Sequence, residues 1–74
     1  MASLPAISGR TAVAAFKRAG FEAKRQTGSH IILVKSGSVL TLSVPNHREL
    51  KPGTLRALIR KSGLSVAEFT ELLR

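Results

Sequence analysis

The stretch from Phe21 to Pro45 leaves this chain few choices. Two short turns, Thr27-Gly28-Ser29 and Ser36-Gly37-Ser38, divide it into three β-prone runs. Glycine and serine at such points let the backbone reverse where bulkier residues resist. Connections this short join only antiparallel neighbours, because a parallel crossover needs a dozen residues or more. The first run, over 21–26, alternates Phe21 and Ala23 with Glu22 and Lys24. The second, over 30–35, opens with His30 and continues as Ile31-Ile32-Leu33-Val34. The third covers 39–44 and stops at Pro45, which cannot donate to a sheet ladder. A tight hairpin at Ser36-Gly37 sets Val34 opposite Val39, Leu33 opposite Leu40, Ile31 opposite Leu42 and His30 opposite Ser43. Side chains alternate between faces. Ile31, Leu33, Leu40, Leu42 and Val44 then form the core face. His30, Ile32, Val34, Val39, Thr41 and Ser43 form the other. His30 points away from the core, towards hydroxyl-bearing neighbours. Ile32, Val34 and Val39 give that open face an apolar end suited to docking a partner.

Helical periodicity flanks the strands. Residues 1–7 read as an extended lead containing Pro5. Ser8 is placed to cap a helix over 9–19, whose Ala12, Val13, Phe16 and Ala19 share a face and whose other face carries Arg10, Lys17 and Arg18. Gly20 is its stop. Residues 46–51 form a polar loop with His47, Arg48 and Glu49. Pro52 then suits the first turn of a second helix. Leu55, Leu58, Ile59 and Ser62 recur along one side of it, and Gly63 ends it. Ser65 and Glu68 spell a capping box, and Leu64 and Phe69 have the spacing of a hydrophobic staple. A third helix follows, burying Phe69, Leu72 and Leu73. The order is α-β-β-β-α-α. It predicts an α+β fold, a three-stranded antiparallel sheet with helices on one face, as a single domain over 1–74.

Charge narrows the partner. Twelve Lys and Arg stand against four acidic residues, a formal net charge of +8. After Lys61 the only basic residue is Arg74, whereas Glu68 and Glu71 both fall there, so the rest of the chain is more basic still. Such a small, strongly basic domain is suited to a polyanion, first of all nucleic acid. The basic residues do not lie along one long amphipathic helix, no apolar run approaches membrane-spanning length, and residues 1–8 lack the pattern of a signal peptide. With no cysteine, the expectation is a cytoplasmic protein with no membrane partner.

The chemistry is limited by elimination. There is no Asp and no Cys, and four scattered Glu and two His make no metal-ligand set and no paired-carboxylate site. Gly28, Gly37, Gly53 and Gly63 stand alone, so no phosphate-cradling loop is present. No spacing suggests a Ser/His/acid triad. The expectation is no metal and no cofactor. Histidine remains as the acid or base near neutral pH. RNA supplies its own nucleophile, the 2′-hydroxyl, so its cleavage needs only a base, an acid and a cation for the phosphorane charge. Position alone leaves His30 even between a reactive group and an ordinary surface histidine. A loop residue such as His47 more often bonds the backbone than reacts. Lys24, Arg25 and Lys51 argue for phosphate contact only through their summed charge, a solvated basic face being the ordinary alternative for each. Lys51-Pro52-Gly53-Thr54 opens a helix whose first amides attract anions, although it also serves simple helix initiation.

Three ordered stretches go further: Lys17-Arg18-Ala19-Gly20-Phe21; Gly28-Ser29-His30; and Val44-Pro45-Asn46-His47 running on to Glu49-Leu50-Lys51-Pro52-Gly53-Thr54-Leu55, with Ser62-Gly63-Leu64-Ser65 after it. Together they resemble the HicA-type toxins, also called YcfA-like proteins, of bacterial toxin–antitoxin systems, from Ile7 to about Leu73. The resemblance implies a fold like the double-stranded-RNA-binding domain. It implies a ribosome-independent, mRNA-cleaving enzyme held inactive by a HicB-type antitoxin. It maps the family's catalytic histidine onto His30, and its proline-linked histidine, with no settled chemical role, onto His47. Ser29, Lys24, Arg25, Lys51 and Thr54 are then the expected RNA contacts. A non-catalytic RNA-binding module of the same fold is the alternative, and a module whose main business is a protein partner is a third. The chain departs from the pattern mildly, with Arg10 where Lys is frequent.

Overall fold

The computed structural model describes residues 4–74; the first three residues of the expected extended lead lie outside them. The elements run α1 (Gly9–Arg18), β1 (Phe21–Thr27), β2 (His30–Lys35), β3 (Thr41–Pro45), α2 (Pro52–Ser62) and α3 (Val66–Leu72). The sheet is antiparallel in the order β1-β2-β3. This is the expected α+β order, with helices on one face of a three-stranded sheet.

Local chemistry sets most boundaries. The Ser8 side chain accepts from the Thr11 amide and starts α1. That helix ends one residue earlier than expected, with Ala19 as its cap and Gly20 at φ +104°. Pro52 opens α2 and Gly63, at φ +88°, closes it. The capping box of α3 is formed on both sides: the Glu68 amide donates to Ser65 Oγ at 3.0 Å, and the Ser65 amide donates to the Glu68 carboxylate at 2.8 Å. Hydrogen bonding from Ser65, its backbone amide first and its side chain second, holds the Glu68 carboxyl below its ordinary pKa. Ser62, on the apolar side of α2, is buried but satisfied: its hydroxyl donates to the Ile59 carbonyl and accepts from the Leu64 amide.

One core holds the layers together. Phe21, Leu33, Leu42 and Val44 face the helices from the sheet, meeting Ala12, Val13, Ala15 and Phe16 from α1, Leu55, Leu58 and Ile59 from α2, and Phe69 from α3. Phe16 is its centre, 5.9 Å from the Phe21 ring in an edge-on arrangement and 5.0 Å from that of Phe69. Lys35 closes the edge, its Nζ 5.4 Å over the Phe21 ring.

The strand register departs from expectation by two residues. Val34 pairs with Thr41, Leu33 with Leu42, Ile31 with Val44 and His30 with Pro45. Residues Val39 and Leu40 therefore lie before β3, in the connection. The cause is the turn. Ser38 donates its amide to the Lys35 carbonyl, closing a four-residue turn with Gly37 at φ +77°. The Ser38 hydroxyl then accepts the Leu40 amide at 3.0 Å, so that amide is not available to a ladder. Because a slip of two preserves the alternation, the residues that stay in the strands keep their faces, while Val39 and Leu40 leave the ladder. Leu33, Leu42 and Val44 are fully buried, Ile31 and Leu40 pack partly against them, and His30, Thr41 and Ser43 are exposed.

Candidate functional site

His30 is delivered by a two-residue connection. Gly28 takes φ +58° while Ser29 keeps a negative φ, the sign pattern of a type II′ turn, which suits the twist of a two-residue hairpin. Thr27 and His30 are the pair that closes it. The turn is tethered from below, since the Ser29 carbonyl accepts from the Asn46 amide. His30 is thus the first residue of β2, exposed on the open face. It lies between Thr27 of β1 and Pro45 of β3, not opposite Ser43 as the tight hairpin had implied.

The loop that follows Pro45 gathers the remaining candidates at this end of the sheet. The His47 carbonyl accepts from the Gly9 amide at 2.9 Å, and the Leu50 amide donates to the Ile7 carbonyl at 2.8 Å. Both bonds fasten the start of α1 to the loop. His47 itself has an exposed side chain, two residues past the Pro45 that flanks His30. Lys51 then leads into α2, whose N-terminus carries no side-chain cap. Lys51 is exposed and Thr54 half-buried. His30, Ser29, His47, Lys51 and Thr54 therefore come from three segments that converge at one end. The N-termini of α1 and α2 lie there too, and helix N-termini attract anions.

Lys24 and Arg25 reach the open face through a feature absent from the sequence reading. The β1–β2 register shifts between Ala23, opposite Leu33, and Arg25, opposite Ile32. Lys24 is the extra residue of a β-bulge. Simple alternation from Phe21 would send Arg25 to the core side. The bulge returns it to the open side, one row along from His30, so two consecutive cations share that face. The signal was present: the apolar alternation Phe21, Ala23 breaks at Arg25.

The basic side chains also sort by employment. Arg18 donates to the Leu72 carbonyl at 2.6 Å, tying α1 to α3, and Lys35 covers Phe21. Among the described residues the one salt bridge is Glu71–Arg74, exposed and 3.9 Å long. Among the described residues no other Lys or Arg side chain forms a salt bridge or a hydrogen bond. No three His, Cys, Asp or Glu side chains cluster as metal ligands among the described residues.

The apolar docking patch is only partly assembled. Ile32 and Val34 are half-buried on the open face. Val39, the large hydrophobic side chain left fully exposed, sits outside the strand, and Thr41 takes the place opposite Val34 that Val39 was expected to hold. Sequence reasoning also missed Gly9. A Cβ there would overlap the Pro45 carbonyl oxygen and press on Asn46 Cα at 3.1 Å. Only glycine allows α1 to meet the end of β3 this closely, and nothing local to Gly9 announces that contact.

Residues 9–64 match the family described as HicA toxin of bacterial toxin–antitoxin systems. No curated protein matches the chain.

Proposed function

The chain belongs to the HicA toxin family of bacterial toxin–antitoxin systems, and on that footing we propose that it is an endoribonuclease that cleaves mRNA without a metal ion. His30 is the general acid or base. The 2′-hydroxyl of one ribose attacks the adjacent phosphorus and loses its proton to a base. The bond from phosphorus to the 5′-oxygen breaks, and that oxygen gains a proton from an acid. A 2′,3′-cyclic phosphate and a 5′-hydroxyl result. His30 performs one transfer; His47, a basic side chain or water performs the other. Arg25 and Lys24 on the open face, with Ser29, Lys51 and Thr54 at the converging end, hold the backbone and offset the phosphorane charge.

The observation that carries this reading is the exposure of His30 on the open face, in the row beside Arg25 and at the end where the His47 loop is fastened to the start of α1. A HicB-type antitoxin is the proposed partner, docking over Ile32, Val34 and Val39 and covering His30. Among the described residues no helix is long and apolar enough to cross a membrane. We place the reaction in the cytoplasm, where mRNA is.

The test is RNA cleavage by purified protein in the presence of a chelator, with His30→Ala beside it. The wild type should cut and the variant should not, while both melt at similar temperatures. Intact RNA with the wild type would favour the alternative, an RNA-binding module of the same fold. Undiminished cutting by the variant would remove His30 from the chemistry.

A further inference from the structure

On the helix side of the sheet, along the β1 edge, α1 and the strands enclose an open groove of about 310 Å³. Val13, Ala14, Ala23 and Ile31 give it an apolar lining, and Arg10, Lys17 and Gln26 a polar one. Arg10 and Lys17 stand seven residues apart on α1, so they are spaced about 10 Å along the same side of the helix. No acidic side chain lines the groove. The Gln26 amide nitrogen donates to the Gly28 carbonyl at 3.3 Å, which orients the carboxamide and leaves its oxygen as an acceptor.

We propose that this groove is a nucleotide subsite of the RNA-cleaving site, holding one base of a single strand whose neighbouring phosphates lie against Arg10 and Lys17. The volume is at the small end of ligand clefts and suits one base with its sugar. The apolar lining takes the face of the base, and the Gln26 oxygen takes a donor on its edge. Geometry connects the groove to His30. Gln26 faces the helix side opposite Ile31, and the next residue, Thr27, is the partner of His30 on the open side. β1 is an edge strand with no other strand of the sheet outside it, so a strand leaving the groove passes over that edge. Where it crosses, the bulge presents Lys24 and Arg25. Cations thus line the path on both sides of the edge. The subsite would give the enzyme a base preference set away from the cleaved bond. This rests on the RNA-cleaving reading above, and the test separates the two.

The experiment has two arms. In the first, the Arg10→Ala, Lys17→Ala double variant is compared with wild type on a long single-stranded RNA. The KM should rise roughly tenfold or more, and the slope of log KM against log salt should fall by about 0.7 for each cation removed. An Arg60→Ala, Lys61→Ala double variant removes the same charge from α2, and its KM should change much less. Equal changes in the two double variants would reduce the effect to net charge and overturn the subsite. In the second arm, His30→Ala protein is titrated with a short single-stranded RNA while backbone amide signals are followed. Shifts at Arg10, Ala14, Lys17 and Gln26 support the subsite. Shifts confined to the open face, or none at all, overturn it. If wild type binds RNA in the groove but does not cut it, the cleavage reading falls and the subsite stands. If the groove signals move only when an antitoxin is added, the groove belongs to the protein partner and the proposal falls.

Discussion

Replacing Gly9 by alanine pits two effects of opposite sign against each other. In an open helix position, alanine in place of glycine stabilises by about 1 kcal/mol at most, through backbone entropy. At Gly9 the added Cβ has no room. It would meet the Pro45 carbonyl and the Asn46 Cα, and both are backbone atoms that cannot rotate away. Overpacking of this kind costs about 1–3 kcal/mol. Parting α1 from the loop also weakens the Gly9–His47 hydrogen bond, worth about 0.5–1.5 kcal/mol. The clash wins, and the net loss is about 1–3 kcal/mol. For a domain of this size that lowers the melting temperature on the order of 10 °C. Gly53 is the control. It lies in the first turn of α2 with nothing within 4 Å of a Cβ, and its φ is not positive. Gly53→Ala should therefore raise stability by about 0.4–1 kcal/mol. Urea unfolding followed by circular dichroism measures both variants, with unchanged slopes expected. A Gly9→Ala protein as stable as wild type would refute the close approach of α1 to the end of β3. With it would go the account of how the His47 loop is held beside His30.

Other perturbations test other parts of the argument. Truncating Phe16→Ala removes the ring that contacts both Phe21 and Phe69, costing about 3–5 kcal/mol; the chain should be largely unfolded at 37 °C by near-ultraviolet dichroism, and a native-like melt would contradict its place in the core. Deleting Lys24 should leave the sheet folded, because the pairings of Ala23 with Leu33 and Arg25 with Ile32 are both kept and the ladder simply loses its bulge; a melting temperature close to wild type is the expected reading, and unfolding would refute the register. Glu68 fixes a pH dependence. Its pKa is depressed in the folded state, so its contribution is complete above the ordinary carboxylate value of about 4.3 and is lost as pH falls through the lower folded value. The stability gap between wild type and Glu68→Ala should be wide at neutral pH and shrink in acid; a gap independent of pH would rule out the charged cap. Replacing Val39→Asp should leave the melt nearly unchanged, because the side chain touches no core, while weakening capture by a HicB-type antitoxin in a pull-down; equal capture would remove Val39 from the docking face.

Short-range chemistry determined most of what the sequence could say. Caps at Ser8 and Ser65, the glycine stops, the two turns and the apolar periodicities act over a few residues, so they placed five of the six elements to within about a residue. The same alternation put His30 on the open face, and that conclusion survived a register slip because a shift of two residues returns each side chain still in the ladder to its own side. The start of β3 was misplaced because the Ser38 hydroxyl competed with the strand ladder for the Leu40 amide, a choice made by one side-chain hydrogen bond. The family pattern, carried by ordered local motifs, was likewise legible in one dimension. Only the tertiary structure decided what lies beside what. The bulge that turns Arg25 outward depends on a partner strand. The close contact at Gly9, the tether from Asn46 to Ser29 and the groove between α1 and β1 join residues far apart in the chain. Each is a packing relation, fixed by how whole elements settle on one core. The Gly28-Ser29-His30 turn could be read from its own residues; the surroundings that make its histidine worth testing could not.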